Sequence, residues 1–191
     1  MLFTNDVELS LQAATTLVNT LPDASQSGGD ELTTIAELSA WFEGEGFTGD
    51  RLGTPEELEA LRALRHRLRA LWEAGDDVEA AELVNAMLAE GGALPRLVDH
   101  DGLGLHIHAN RADAPLADRV MVEVAMAWVD VLRQGERARM KRCAADDCEA
   151  ILVDFSRNRS KRFCDVGNCG NRMNVRAFRA RAAAGLSLIH I

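Results

Sequence analysis

The sequence predicts an α+β protein. A mostly helical N-terminal domain with one small β-hairpin spans residues 1–135, and a small four-cysteine module ending in a basic helix spans 136–185, before a tail at 186–191. Three observations predict this. Apolar residues recur at helical spacing over most of the first 135 residues. One stretch, Leu94 to Ala109, alternates instead around an Asp-Gly pair. The chain's four cysteines, Cys143, Cys148, Cys164 and Cys169, stand in two close pairs near the C-terminus.

Taken in order, Val7 to Leu21 reads as an apolar helix ended by Pro22 and a Ser/Gly/Asp loop at 23–30. A second helix is predicted from about Leu32 to Glu43, with Ile35, Leu38, Trp41 and Phe42 on one side and Gly44 and Gly46 as its stop. Thr54-Pro55-Glu56-Glu57 is a helix start, combining a Thr cap, Pro at the first helical position and Glu three residues after the cap. Leu58, Leu61, Leu64, Leu68, Leu71 and Trp72 follow at helical spacing. Asp77 opens a further helix with Val84, Met87 and Leu88 inward, stopped by Gly91-Gly92. Leu97-Val98 and Leu103 to His108 flank Asp99-His100-Asp101-Gly102 as a hairpin. Pro115 leads a long helix to about Gln134, burying Leu116, Val120, Val124, Trp128, Val131 and Leu132. No internal repeat is seen. The apolar tail after Gly185 fits no other element and carries no inference.

The formal net charge of −9 hides a division. Residues 1–133 hold 9 basic and 24 acidic residues (9 − 24 = −15), and residues 134–191 hold 12 basic and 6 acidic (12 − 6 = +6). An acidic body with a basic end is compatible with nucleic acid, because attraction to phosphate is local. No apolar run is long enough for a membrane span, and the first residues lack the features of a signal peptide, so a cytoplasmic protein is expected.

In a reducing compartment, regularly spaced cysteines point to a metal more than to disulfides. The pattern here is C-x4-C, 15 residues, C-x4-C. Zn²⁺ takes four soft ligands in a tetrahedron, and two short-range pairs in tight turns supply them. Such a small module buries little core, so coordination would supply much of its folding free energy, on the order of 10 kcal/mol. Separate buried thiols, two disulfides or an iron–sulfur cluster are the alternatives. Four thiolates leave no open position, so a catalytic metal is not expected. Leu152-Val153 and Arg162-Phe163 are predicted to pair as short strands beside the site.

Two basic clusters flank the cysteines. One is Ser156-Arg157-Asn158-Arg159-Ser160-Lys161-Arg162. The other starts at Cys169-Gly170-Asn171-Arg172 and continues as a helix. There Val175, Phe178 and Ala182 form an apolar stripe, Arg172, Arg176 and Arg179 share another face, Arg181 lies nearby, and Asn171 is the expected cap. Arginine binds phosphate bidentately and reads guanine edges, and Ser, Asn and backbone N–H groups add phosphate contacts. Arg157, Asn158, Arg159, Lys161, Arg162, Asn171, Arg172, Arg176, Arg179 and Arg181 are therefore the candidate nucleic-acid contacts. Arg137, Arg139, Lys141 and Arg142 add charge just before the module, or form the polar end of the preceding helix. The competing reading is a solvated surface, or arginines paired with the acidic domain.

These residues also carry a resemblance. Cys143-Ala144-x3-Cys148, Asp154-x-Ser156-Arg157-Asn158-x-Ser160-Lys161-Arg162-Phe163-Cys164 and Cys169-Gly170-Asn171-Arg172 resemble the CGNR zinc finger over about residues 140–182, and Arg176, Arg179 and Arg181 fit its trailing helix. In that family the module follows a domain called ABATE, of stress-induced transcription regulators. Residues 1–135 are similar to it through Leu17-Val18-Asn19-Thr20-Leu21, which matches a D-F-x-N-T opening, and through the order of helices and hairpin. The acidic and aromatic pair of that opening is here Thr16-Leu17, Phe163 and Val166 replace a Trp and a Met, and Asn174 replaces a Lys that would touch phosphate. The resemblance implies a bacterial DNA-binding regulator.

Other constellations are weaker. His106 and His108 share a strand face and, with His100 or Asp101, have the makings of a metal site, although ordinary hairpin side chains are the simpler reading. Trp41, Trp72 and Trp128 read as core. No catalytic motif is present, so an enzyme is not expected. The expectation is a transcription regulator that binds duplex DNA, with a possible small-molecule effector in the N-terminal domain and a possible homodimer. A zinc module docking on RNA or an acidic protein is the alternative, and an enzyme with an N-terminal pocket a third.

Overall fold

A computed structural model describes residues 2–47, 50–99, 104–111 and 113–183. Helix α1 (Asn5–Val18) buries Val7, Leu11, Ala14, Leu17 and Val18, and it ends at Asn19, short of the expected Leu21. Helix α2 (Ile35–Gly44) starts on a capping box: Thr34 accepts from the Glu37 N–H while the Glu37 carboxylate reaches back to Thr34. Helix α3 (Pro55–Glu73) starts where the Thr-Pro pair predicts, with Thr54 Oγ1 accepting from Glu57 N. The Glu57 carboxylate does not close the box. It accepts instead from the N–H groups of Leu52 and Gly53, at 3.0 and 2.9 Å.

Helix α4 (Asp77–Glu90) is capped by Asp76, whose carboxylate takes the N–H groups of Val78 and Glu79. Its end runs tight against helix α5 (Leu116–Arg133). A Cβ on Gly91 would stand 2.2 Å from Val122 Cγ2, so glycine is what permits the approach. Helix α5 packs on α1, α3 and α4 at the centre of the molecule. Trp128 is fully buried and meets Trp72 edge-on, with ring centroids 5.1 Å apart. Each such side chain contributes about 1.5–3 kcal/mol by leaving water. All three tryptophans are core residues, as expected.

Strands β1 (Arg96–Asp99) and β2 (Leu105–His108) form the antiparallel hairpin, with Leu97 opposite Ile107 and Asp99 opposite Leu105. The predicted turn from His100 onward lies outside the described residues, as do Leu103 and the tail. The hairpin's polarity is inverted. Leu97 and Leu105 are 68% and 74% exposed, whereas His106 is buried. Alternation then puts His106 and His108 on the inward face.

After a 3-10 turn (Arg137–Arg139), β3 (Met140–Arg142) pairs antiparallel with β4 (Ile151–Val153). This corrects the expected pairing of Leu152-Val153 with Arg162-Phe163: the nearer strand, across a turn of eight residues, is β3. Strand β4 is buried on both faces. Ile151 and Val153, with Met140, belong to the helical core, and Leu152 belongs to a second cluster around the cysteines. Two side chains of the helical part hold its backbone. Asn19 bonds to both the N–H and the C=O of Ile151, and Trp72 Nε1 donates to Leu152 O at 3.1 Å.

Helix α6 (Cys169–Ala183) starts on a cysteine, so Asn171 lies inside its first turn instead of capping it. Cys169 and Met173 anchor it to the cysteine cluster. The apolar stripe of this helix is exposed: Val175 and Phe178 are 41% and 53% exposed.

Candidate metal centre and basic surface

The first cysteine pair sits in the turn between β3 and β4. Cys143 N donates to Ala150 O at 2.8 Å and Cys148 N to Ala145 O at 3.2 Å, which folds the intervening residues into a knuckle. The second pair leads into α6. Asn168 takes a positive φ of 51°, turning the chain into the helix, and Gly170 passes so close to Phe163 that a Cβ would stand 3.3 Å from its ring.

The four Sγ atoms lie within 4.8 Å of one another. Cys148–Cys164 and Cys164–Cys169 are both 3.7 Å apart. A tetrahedron with metal–sulfur bonds of about 2.3 Å has edges of roughly 3.8 Å, so the set fits Zn²⁺. The spacing is far too long for bonded sulfurs, and the cysteines are free. Burial, with the Cys164 sulfur beside it, pushes the Cys148 thiol well above its ordinary range, and burial raises Cys164 too. At Cys169 burial is outweighed by hydrogen bonds from Arg172 and the neighbouring thiols, so that thiol is lowered. Arg172 Nη2 donates to Cys169 Sγ at 3.1 Å, and Cys164 N faces Cys143 Sγ at 3.5 Å. Such donors orient ligand sulfurs and soften their charge. Four thiolates close the coordination sphere, so the metal is structural.

The loop after β4 is organised by one carboxylate. Asp154 is fully buried, and its Oδ1 accepts from Ser156 N at 2.9 Å and from the Ser156 hydroxyl. Its Oδ2 accepts from Lys161 N at 2.9 Å and Lys141 Nζ at 2.6 Å. Burial works against the charge, but Lys141 and Ser156 outweigh it and hold the group at about 2. Arg139, also buried, donates to the carbonyls of Asp154 and Ser156 at 2.9 and 2.7 Å and pairs with Glu136. Residues 154–161 therefore form a loop tied down at Asp154, with residues 157–160 on its exposed side.

That network sorts the candidate contacts. Arg159 forks onto Glu136 at 3.0 Å, Lys161 pairs with Asp165 at 2.6 Å, and Arg172 and Arg176 both reach Asp147, at 2.8 and 3.2 Å. Arg162 lies 5.8 Å from the centroid of its neighbour Phe163. Asn158 and Asn171 are exposed. Arg157, Arg162, Arg179 and Arg181 are exposed and make no ion pair among the described residues. Lys161, Arg162 and Asn171 line one shallow depression beside the second knuckle, joining the loop to the start of α6. The four basic residues before the module are committed internally: Arg137 to Asp77, Arg139 and Lys141 to the loop, Arg142 to Glu73 and Glu149.

Several structural residues carried no signal of their role. Buried Arg65 forks onto Asp30 at 2.7 and 2.9 Å and donates to Thr20 Oγ1 at 3.0 Å. This fork holds the Asp30 carboxyl far below the usual carboxylate range. Only the Asn19-Thr20 dipeptide, already noted as a matched opening, hinted at it.

A helical body joined to a closed four-thiolate zinc centre, with a basic loop and an exposed basic helix, defines a zinc-finger protein. Family comparison makes this particular. The ABATE family, described as "Putative stress-induced transcription regulator", matches residues 11–135, and the CGNR zinc finger matches residues 139–182. The chain belongs to the ABATE family and carries a CGNR zinc finger after it. The search of curated proteins found no match. Among the described residues no helix is long and apolar enough to cross a membrane.

Proposed function

We propose that this protein is a DNA-binding transcription regulator in which zinc fixes the shape of a phosphate-binding surface. The observation that carries the reading is the contrast among the basic residues. Arg137, Arg139, Lys141 and Arg142 are spent on internal partners, whereas Arg157, Arg162, Arg179 and Arg181 stand exposed and make no ion pair among the described residues. Holding long cations unpaired on one zinc-stapled unit favours an external polyanion. The loop would contact phosphates through Arg157, Asn158, Arg159, Lys161 and Arg162, and α6 through Asn171, Arg172, Arg176, Arg179 and Arg181. The Asp147 and Glu136 pairs place some of these guanidinium groups rather than neutralising the whole face.

The test is binding of the full-length, zinc-loaded protein to random-sequence duplex DNA across a salt titration. The expected log–log slope is about −0.9 per phosphate contact. Absence of binding at low salt overturns the reading. Tighter binding to single-stranded RNA than to duplex DNA would replace DNA with RNA as the partner.

A further inference from the structure

The hairpin turns its polar face toward a cavity. A cleft of about 530 Å³ lies between β1–β2, α1, α5 and the end of α2, within the size range of small-molecule sites. Val7, Ala13, Phe47 and Met126 give it an apolar middle. Its polar groups are unevenly satisfied. Asn110 is 5% exposed, and its Nδ2 donates to Glu123 Oε1 at 2.8 Å. This fixes the amide so that Oδ1 is a buried acceptor with no donor among the described residues, a penalty that a bound donor would remove.

Carboxylates add further acceptors to the lining. Glu45, Glu123 and Asp130 are all half-buried in the wall. Burial raises each of the three, with cationic neighbours offsetting it only in part at Glu123 and Asp130. The cations at the rim are engaged: Arg96 donates to Asn110 O at 2.7 Å, Arg111 forks onto Asp113, and Arg119 donates to Asp50 O. His106 Nδ1 donates to Gly104 O at 2.7 Å, and the Nε2 atoms of His106 and His108 lie 3.1 Å apart.

We propose that this cleft binds a small organic cation, an amine with an apolar body, whose N–H groups are donated to Asn110 Oδ1 and to the carboxylates of Glu45 and Glu123. The body packs against Phe47 and Met126. An anion would meet three carboxylates, and a purely apolar ligand would leave Asn110 Oδ1 unpaired, so the lining selects against both. The site lies in the helical part and is independent of whether the basic surface binds DNA.

The experiment is calorimetric titration of the full-length, zinc-loaded protein, without nucleic acid. The probes are 2-phenylethylamine, 4-phenylbutylamine and tryptamine, each against the alcohol and carboxylate of the same skeleton. The amines are expected to bind at least about tenfold more tightly than their counterparts, the worth of one hydrogen bond to a charged group. Glu45→Gln and Asn110→Ala should each erase most of that preference. If Asn110→Ala does not fold, Glu45→Gln decides alone. Amines that bind no better than their counterparts, or not at all at millimolar concentration, overturn the proposal, as does a Glu45→Gln protein with unchanged amine affinity.

Discussion

The side-chain amide of Asn19 pairs with both backbone groups of Ile151, Nδ2 donating to the carbonyl and Oδ1 accepting from the N–H, each at 2.9 Å. Cys143 N bonds to Ala150 O, and Asp154 N to Arg139 O. Alternation therefore leaves the Ile151 groups facing away from β3, and Asn19 takes the place of a missing strand on that edge. The amide stands at the end of α1 and the strand between the first two zinc ligands and the basic loop.

Asn19→Ala should therefore destabilise the whole protein. It strands two buried backbone groups, and the expected cost is about 2–4 kcal/mol. Urea unfolding followed by helical circular dichroism measures it. A change under about 0.5 kcal/mol, the range of ordinary surface substitutions, would show the pairing to be unimportant.

Asp30→Asn should cost about 3–5 kcal/mol near neutral pH, because it leaves the buried Arg65 guanidinium without its counter-charge. The pH dependence has a defined sign. Asp30 has an ordinary value of 3.8 and is held well below it in the folded chain, first of all by Arg65. The wild-type advantage is therefore complete above that ordinary value and shrinks as pH falls through the folded one. Stability of the two proteins compared at pH 7, 5, 4 and 3 should show a constant gap that begins to close only at the acid end.

Zinc removal should be felt beyond the module. Leu152 packs with the cysteines while Ile151 and Val153 pack with the helices. A strong chelator should lower the melting temperature of the α-helical signal itself. Raising free zinc to about a thousand times the dissociation constant should restore roughly 4 kcal/mol. A helical transition indifferent to zinc would contradict the shared core.

Arg157→Ala should leave stability within about 0.5 kcal/mol, since the side chain is exposed and no ion pair holds it among the described residues. Affinity for duplex DNA should fall, and the salt slope should lose about 0.9. The same substitution at Arg139 should behave oppositely and compromise folding first, because that guanidinium is buried against the loop carbonyls.

Local signals were the legible ones. Thr54-Pro55 marks a helix start because a cap acts over three residues, and each cysteine pair spans a single turn, so both could be read from spacing. The order of helices and hairpin followed from periodicity. What could not be read depends on distant partners. Asn19 and Ile151 are 132 residues apart, and Asp154 gathers Lys141, Ser156 and Lys161 from both sides of a strand. Strand β4 was recognised, but three apolar residues do not say which neighbour they pair with. The buried face of the hairpin was not legible for a related reason. Its alternation is real, yet the polar side faces in, toward a cleft lined by carboxylates, and periodicity alone does not assign the buried face. The basic clusters were visible as composition, but the division between structural and outward-facing arginines depends on which acids and carbonyls the fold brings to each.

Strand β4 also bears on how the chain can be recombined. The two family matches abut, at residues 11–135 and 139–182, and invite a cut between them. Such a cut would divide one hydrophobic unit, since Met140, Ile151 and Val153 complete the packing of helices that end before them. A chimera carrying a zinc finger from another protein must bring a strand with the same inward pair, and backbone groups that Asn19 and Trp72 can reach. A fusion made by matching sequence boundaries alone would keep all four cysteines and lose the floor of the helical core.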